Sequence, residues 1–259
     1  TADSGTVTGL GSVAVGADSS AKGTNAAAFG QKAEAFGQNS LAAGQDSHAT
    51  GKSSVALGDG AHSSKDSSTA VGVYANASGA GATSLGASSK ADQWGTTAVG
   101  LEAKATGNSS ATAVGHKAEA TGSAAVAVGK GNRVSGNGSG ALGSGNTVGQ
   151  ENSFVLGKDV TTSQANSVVL GNASTDRAAT AETQATVNGI TYNGFAGVGS
   201  AANGVVSVGK DGGERQLINV AAGKISKDST DAINGSQLYL TQEALGNLGK
   251  TTVKTLGGN

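Results

Sequence analysis

The stretch NSLAAGQDSHATGKSSVALGDGAHSS, residues 39–64, states one phrase twice: Ser40-Leu41-Ala42-Ala43-Gly44, then Ser54-Val55-Ala56-Leu57-Gly58. Working outward from it, the closing glycine recurs at Gly16, Gly30, Gly44, Gly58, Gly72, Gly86, Gly100, Gly115, Gly129, Gly143, Gly157 and Gly171. The interval is 14 residues throughout, except for 15 between Gly100 and Gly115. A second glycine often falls midway, at Gly23, Gly37, Gly51, Gly79, Gly107, Gly122 and Gly136. Lys65, Gln93, Gln150 and Gln164 take its place elsewhere. The unit therefore reads as two half-turns, each a short strand closed by a bend where glycine reaches positive φ without steric cost. Such a period is the signature of stacked coils.

Composition agrees. The 259 residues include 44 glycines, no proline, cysteine or methionine, and 3 % aromatic residues. Too few large apolar side chains exist for one thick core. Disorder of low-complexity type usually brings proline or charge imbalance, whereas the net charge here is −1. A narrow, repeated core is the reading that remains. Near-neutral charge argues against a nucleic-acid partner, because counterion release needs clustered Lys and Arg. No apolar run approaches the roughly 18–20 residues of a membrane helix. Thr1 opens no secretion signal, so the chain is expected to be mature or a fragment. Absence of cysteine fits export through an oxidising compartment without disulfides, and equally a cytosolic protein.

Aligned coils resolve into columns. One and three residues before each glycine stand the larger groups, such as Val13 and Val15, Val55 and Leu57, Phe154 and Leu156, Val168 and Leu170. Three and five residues after it the column is small, as in Ala33 and Ala35 or Ala103 and Ala105. Spacing of two places each pair on one strand face. Large on one half-turn against small on the other is the expected filling of a flattened coil. Stacked at about 4.8 Å, twelve coils give a rod on the order of 55 Å long, a parallel β-roll. Four residues after the glycine the column is wet: Glu34, His48, His62, Asn76, Lys90, Lys104, Glu119 and Arg133. This is the expected ligand-contact surface. Two residues before it, Ala14, Ala28, Ala42, Ala56, Ala70, Ser84, Ala98, Ala113, Ala127, Ala141, Val155 and Val169 carry no charge. That column is expected to face outward and to be covered by other subunits, in an obligate oligomer with closed symmetry, three copies being the natural number.

The pattern stops at Gly171. Residues 172–183 read as loop. Thr186–Tyr192 reads as a hairpin turning at Asn188-Gly189. A second strand pair is expected at Val205–Val208 and Arg215–Val220, joined through Asp211-Gly212-Gly213, which together make a small β-meander. In KDSTDAINGSQLYLTQEALGNLG, Asp228 or Ser229 is expected to cap a helix. Leu238, Thr241, Leu245 and Leu248, at spacings of three and four, form a short heptad-like seam. Subunits are expected to continue there as a coiled coil along the same axis. The division expected is 1–171 for the roll, 172–225 for the insert, 226–249 for a neck and coiled-coil start, and 250–259 for the start of a truncated next segment.

Catalytic, cofactor and metal roles find no support, and none is expected. His48 and His62 share a column in adjacent coils, but two imidazoles without a nearby carboxylate or thiolate make a poor metal site. No positioned nucleophile completes a triad around His116. GKSS at Gly51 opens no helix as a phosphate loop must. Trp94, the single tryptophan, is expected to pack over a loosened bend, since Trp is usually largely buried. A left-handed β-helix acyltransferase is the enzyme alternative, but its six-residue period with three faces per coil does not match seven and fourteen.

The small-large-Ala-large-Gly coils, as in Ser54-Val55-Ala56-Leu57-Gly58, resemble the head repeats of trimeric autotransporter adhesins. STDAINGSQLY at Ser229–Tyr239 resembles their neck, and ERQLINVAAGKI at Glu214–Ile225 the head-insert element that precedes it. The resemblance covers nearly the whole chain. It implies a left-handed parallel β-roll in a homotrimer on the surface of a Gram-negative bacterium. The only membrane attachment it implies is a C-terminal outer-membrane anchor that lies outside this sequence. It implies binding to extracellular-matrix proteins, often collagen, or to cell-surface receptors, and cell–cell aggregation. Asp231, Asn234, Gly235, Ser236, Gln237 and Leu238 match the neck that joins a wide roll to a narrow coiled coil. A structural spacer within a fibrous surface protein is the competing reading.

Overall fold

The structure, a computed structural model, describes residues 5–257. The repeat folds into two facing walls. Val13–Val15, Ala27–Phe29, Leu41–Ala43, Val55–Leu57 and their successors form a 13-stranded sheet; Ser20–Ala21, Glu34–Ala35, His48–Ala49 and theirs form an 11-stranded one. Every pairing between coils is parallel and in register, with Ala56 between Ala42 and Ala70 and His48 opposite His62. Partners lie 14 residues apart until Thr97↔Thr112 and Lys104↔Glu119, where the longer coil makes it 15. The roll of about twelve coils is as the period predicts.

Both bends of a coil use a left-handed residue, Asn39 at φ 56° and Asp46 at φ 52° in one example. Gly44, at φ 135°, lies where side chains are excluded, and a Cβ there would strike the Gly58 carbonyl of the next coil. The midway glycines have a different reason. Gly37 is not at positive φ, but a Cβ on it would collide with the carbonyl of Gly51. Close stacking, rather than backbone freedom, favours glycine there.

The interior is thinner than the size pattern suggests, and this reverses one expectation. Ala28, Ala42, Ala56, Ala70, Ala98, Ala113 and Ala127 are fully buried inside their own coil, as are Ala141, Val155 and Val169, while Ala14 in the first coil is half-buried. They pack against Ala33, Ala35, Ala49 and their equivalents from the opposite wall. No neighbouring subunit can reach them. In the coils where both inner faces are lined by Ala and Ser, from Ala28 to Ala127, the walls close too tightly for Val or Leu, and the larger residues are turned out. Val13, Val15, Leu142, Phe154 and Leu156 lie on the outer surface of the 13-stranded wall. Several buried hydroxyls are satisfied locally, Ser40 Oγ donating to the Gly37 carbonyl (2.7 Å) and Ser47 Oγ to that of Gly44 (2.9 Å), while Ser54 Oγ and Thr162 Oγ1 find no protein partner.

Towards the C-terminal coils the interior thickens to Val134, Val148, Val160 and Val169, with Asn132 and Asn146 enclosed among them. Asn146 Nδ2 donates to Asn132 Oδ1 (3.1 Å) and to the Gly157 carbonyl (2.8 Å), and its Oδ1 accepts the Val160 N–H (3.0 Å). Each amide thus replaces backbone partners inside the coil.

The last coil is closed by returning chain. Val206–Ser207 adds a parallel strand beside Val168–Leu170, so Val205–Val208 is a roll edge rather than half of a hairpin. Arg215–Val220 forms no strand, and the expected second pair is absent among the described residues. The Asp176 carboxylate accepts the Ser163 N–H (2.8 Å), the Ser163 hydroxyl (2.8 Å) and the Gln164 N–H (2.9 Å), where a further coil would supply carbonyls.

The chain divides into two compact units. The first is the roll as far as Ala178 together with Ala202–Glu214; the second is Ala179–Ala201 together with the chain from Arg215. In the second unit, Gln184–Val187 and Ile190–Asn193 form the expected antiparallel hairpin, with Asn188 (φ 50°) and Gly189 (φ 81°) making its turn. The helix runs Gly235–Thr255, through Gly249 and beyond it. Asn234, not Asp228 or Ser229, is its N-cap, in a reciprocal capping box with Gln237.

Candidate functional site

Three surfaces carry the features that a binding protein needs. The first is the outer face of the 11-stranded wall, which holds all eight residues of the wet column. Glu34, His48, Asn76 and Glu119 are half-buried, and His62, Lys90, Lys104 and Arg133 are exposed. Parallel in-register pairing brings each within one strand spacing of the next. The His48 and His62 rings stack, with centroids 4.5 Å apart and planes 5° from parallel. A carboxylate does lie nearby: Glu34 Oε2 is 3.4 Å from His48 Nε2, while His48 Nδ1 bonds the Asp46 carbonyl (2.8 Å). His62 titrates below its ordinary value, first because it is partly desolvated and then because His48 repels a second proton; Asp46 partly opposes this. Further along, Arg133 pairs with Glu119 (2.8 Å) and Lys90 with Asp92 (2.9 Å).

A second outward column, two residues on, escaped the sequence reading. In it the Lys22 ammonium sits 4.2 Å from the centre of the Phe36 ring. Alternation from the wet column would have revealed it. Asn76 Oδ1 and Asp92 Oδ1, in adjacent coils, are shielded from solvent without a hydrogen bond. An unpaired buried acceptor costs about 1–3 kcal/mol, which a donor from a ligand would recover. No cluster of three metal-ligating side chains forms among the described residues, and no helix there is long and apolar enough to cross a membrane.

The second surface is the outer face of the 13-stranded wall. Val13, Val15, Val126, Leu142, Phe154 and Leu156 are each about half exposed to solvent, with Leu156 at 54 %. Leu41, Val55, Leu57, Val71 and Leu85 continue the same face and are partly covered by one another. A contiguous apolar sheet face of this kind marks an interaction site. Threonine replaces the first apolar residue at Thr69, Thr83, Thr97 and Thr112, so the middle of the face is more polar than its ends.

The third is the neck. Gln237 Nε2 donates to the Gly223 carbonyl (2.7 Å) and its Oε1 accepts the Gly223 N–H (3.0 Å). Asn234 Nδ2 reaches the Val220 carbonyl (3.1 Å), Asp231 Oδ2 accepts the Lys224 N–H (2.9 Å), and Ser236 Oγ donates to Asn234 Oδ1 (2.7 Å). These side chains fasten segment 220–224 to the start of the helix, and Gly235 and Leu238 open its first turn. Leu238, Leu245 and Leu248 stay exposed, and no residue of the helix is buried. Helices in proteins draw most of their stability from packing an apolar face, so this exposed seam calls for partners.

Trp94 is not packed down. It is 66 % exposed on a bend, with small neighbours in its column, Ala80 before it and Ser109 after it, as the bonds Gly95 N–H to Ala80 O and Ser110 N–H to Trp94 O place them.

Comparison with known proteins places these features. A family model of the YadA head domain repeat matches residues 8–33, 35–61, 63–91 and 109–132. A second, of the coiled stalk of trimeric autotransporter adhesin, matches residues 216–259. Together they take in more than half of the chain, and the head matches pass over residues 92–108. The autotransporter adhesin BtaE of Brucella suis biovar 1 is 52 % identical over 71 residues, which are 27 % of this chain and 10 % of that protein. The chain thus spans a small part of that relative's length. Among solved structures, the C-terminal YadA-like domain of a Burkholderia pseudomallei protein is 37 % identical, over 49 % of this chain and 54 % of that one, with a TM-score of 0.38. The collagen-binding domain of the Yersinia adhesin YadA is 24 % identical, over 90 % and 89 %, with a TM-score of 0.27.

Proposed function

This chain belongs to the trimeric autotransporter adhesins, and from that premise we propose that its roll is the ligand-binding part of an adhesin head displayed on a Gram-negative cell surface. The family is one of non-enzymatic binding proteins. Three copies are proposed to meet through the outer faces of their 13-stranded walls, with Val55, Leu57, Phe154 and Leu156 in the contact. The seam Leu238–Leu248 would bundle likewise, and an anchor elsewhere in the protein would hold the fibre to the outer membrane.

The observation that carries the binding role is the wet column. It repeats one outward position every coil, yet fills it with acid, base, imidazole and amide. A rigid array of this kind suits a ligand that is itself extended and repetitive, and a matrix protein of the collagen type is the proposed first target. Individual exposed contacts of about 0.2–1 kcal/mol would sum over a long ligand and over three subunits. No single residue would dominate.

The test is retention of the trimerised head on immobilised collagen, fibronectin and whole cells. Retention on a matrix protein, lost on combined substitution of Glu34, His62, Lys90 and Arg133 by alanine but not on any one of them, is the expected result. Failure on every matrix protein and cell type would leave the roll as a spacer. Loss through one substitution would mean a discrete pocket instead of a distributed surface.

A further inference from the structure

Three irregularities of the roll coincide. The one coil of 15 residues, the one tryptophan and an exposed Asn-x-Ser sequence all fall within residues 92–111. The hydrogen bonds identify the added residue. Gly95 N–H bonds the carbonyl of Ala80, 15 positions earlier, but Ser110 N–H bonds that of Trp94 (3.0 Å), 16 earlier, and Ala124 N–H returns to Ser109 at 15. Gly107 keeps the place of the midway glycine, donating to the Ala120 carbonyl as Gly79 does to that of Ala91. With Ser109 aligned to Trp94, Asn108 is the residue without a counterpart.

Asn-x-Ser/Thr, with x other than proline, is the acceptor pattern for sugar transfer to an asparagine amide. It occurs five times, beginning at Asn76, Asn108, Asn137, Asn172 and Asn234. The structure removes four. Asn76 is half-buried on a strand with its oxygen shielded. Asn137 is tied to Glu151 (3.1 Å) and to the Ser123 N–H (2.9 Å), and its Ser139 is buried. Ser174, which follows Asn172, is buried and bonded to the Leu170 carbonyl. Asn234 is the helix cap. At Asn108 alone are both the asparagine and its serine, Ser110, exposed, and among the described residues no hydrogen bond holds the Asn108 side chain.

We propose that Asn108 is an N-glycosylation site and that the attached sugar lies against the exposed indole of Trp94. In the transfer, Asn108 Nδ2 forms a bond to the anomeric carbon of a nucleotide-activated sugar. The bond from that carbon to the nucleotide diphosphate breaks, the diphosphate leaves with the electron pair, and the amide loses one proton to the transferring enzyme's base. Trp94 offers the sugar's weakly positive C–H face an electron-rich ring, with Ala80 and Ser109 too small to obstruct it. A bulged residue is suited to this role, because it can be pulled into an enzyme without breaking the ladder on either side.

The test is peptide mass spectrometry on the protein taken from the surface of its own bacterium. The tryptic peptide 105–117 is expected to carry sugar on Asn108. Modification should vanish in Asn108→Gln and Ser110→Ala and persist in Ser110→Thr. An unmodified wild-type peptide, or sugar retained in Asn108→Gln, overturns the site. Indole emission that is identical in the glycosylated wild type and in Asn108→Gln overturns the contact with Trp94.

Discussion

Ala56 and Leu57 are consecutive in one strand and live in opposite environments: the Ala56 methyl is sealed inside its own coil, and Leu57 lies on the outer face of the same wall. Substitutions at the two should therefore fail differently. Ala56→Leu overfills a closed interior and is expected to cost about 1–3 kcal/mol, read as a lower unfolding midpoint. Leu57→Lys should leave the coil intact by circular dichroism but weaken subunit association in sedimentation. Loss of association without loss of stability at Ala56 would reverse the assignment of inside and outside.

Gly44 is excluded from carrying a side chain twice over, by φ 135° and by the Gly58 carbonyl. Gly44→Ala is expected to destabilise by about 1–3 kcal/mol, the scale of a residue forced into a rarely populated backbone region. Chemical denaturation measures it. The neighbouring Gln45→Ala, on an exposed bend, should change stability by less than about 0.5 kcal/mol.

Asn146 supports two coils at once. Asn146→Ala would leave the Gly157 carbonyl and the Val160 N–H without their partners, at about 1–3 kcal/mol for each buried group stranded. Hydrogen exchange should show the effect where it arises, with faster exchange of the Val160 amide and little change at Val55.

The stacked histidines make the roll sensitive to acid in a defined direction. The folded His62 pKa is lowered, so between that value and the unfolded value near 6.5 the unfolded chain binds more protons than the folded one. Stability contributed at this site should be complete above about pH 6.5 and should fall as the pH drops towards the folded pKa. Proton-resolved titration of His62 by NMR checks this. His48→Asn should move the His62 midpoint upward, and no movement would exclude His48 as a cause.

At the neck, Asn234→Ala removes the cap and one arm of the capping box. The expected loss is about 0.5–2 kcal/mol, seen as faster exchange in the first helical turn. Gln237→Ala should in addition loosen Gly223, whose two backbone groups it holds.

The period, the coil boundaries, the register, the displaced coil after Gly100 and the Asn188-Gly189 hairpin were all legible in the residues alone. Each of these is local or repetitive, so a glycine or a turn dipeptide states it outright. The wet column was legible for the same reason, since charge at one position in every coil has nowhere to go but outward. Which face of the 13-stranded wall lies inside emerges from the packing of the two walls. Alternation separates Ala56 from Val55 and Leu57, but it does not say which set is enclosed. A thick core would take the larger set, whereas two walls lined with Ala and Ser close around the smaller. Uniform smallness from Ala28 to Ala141 was the available signal, because a tightly enclosed site tolerates little variation in size. The pairing of Val206–Ser207 with the last coil and the cap at Asp176 were likewise out of reach, because they answer unpaired backbone groups that exist only once that coil has folded.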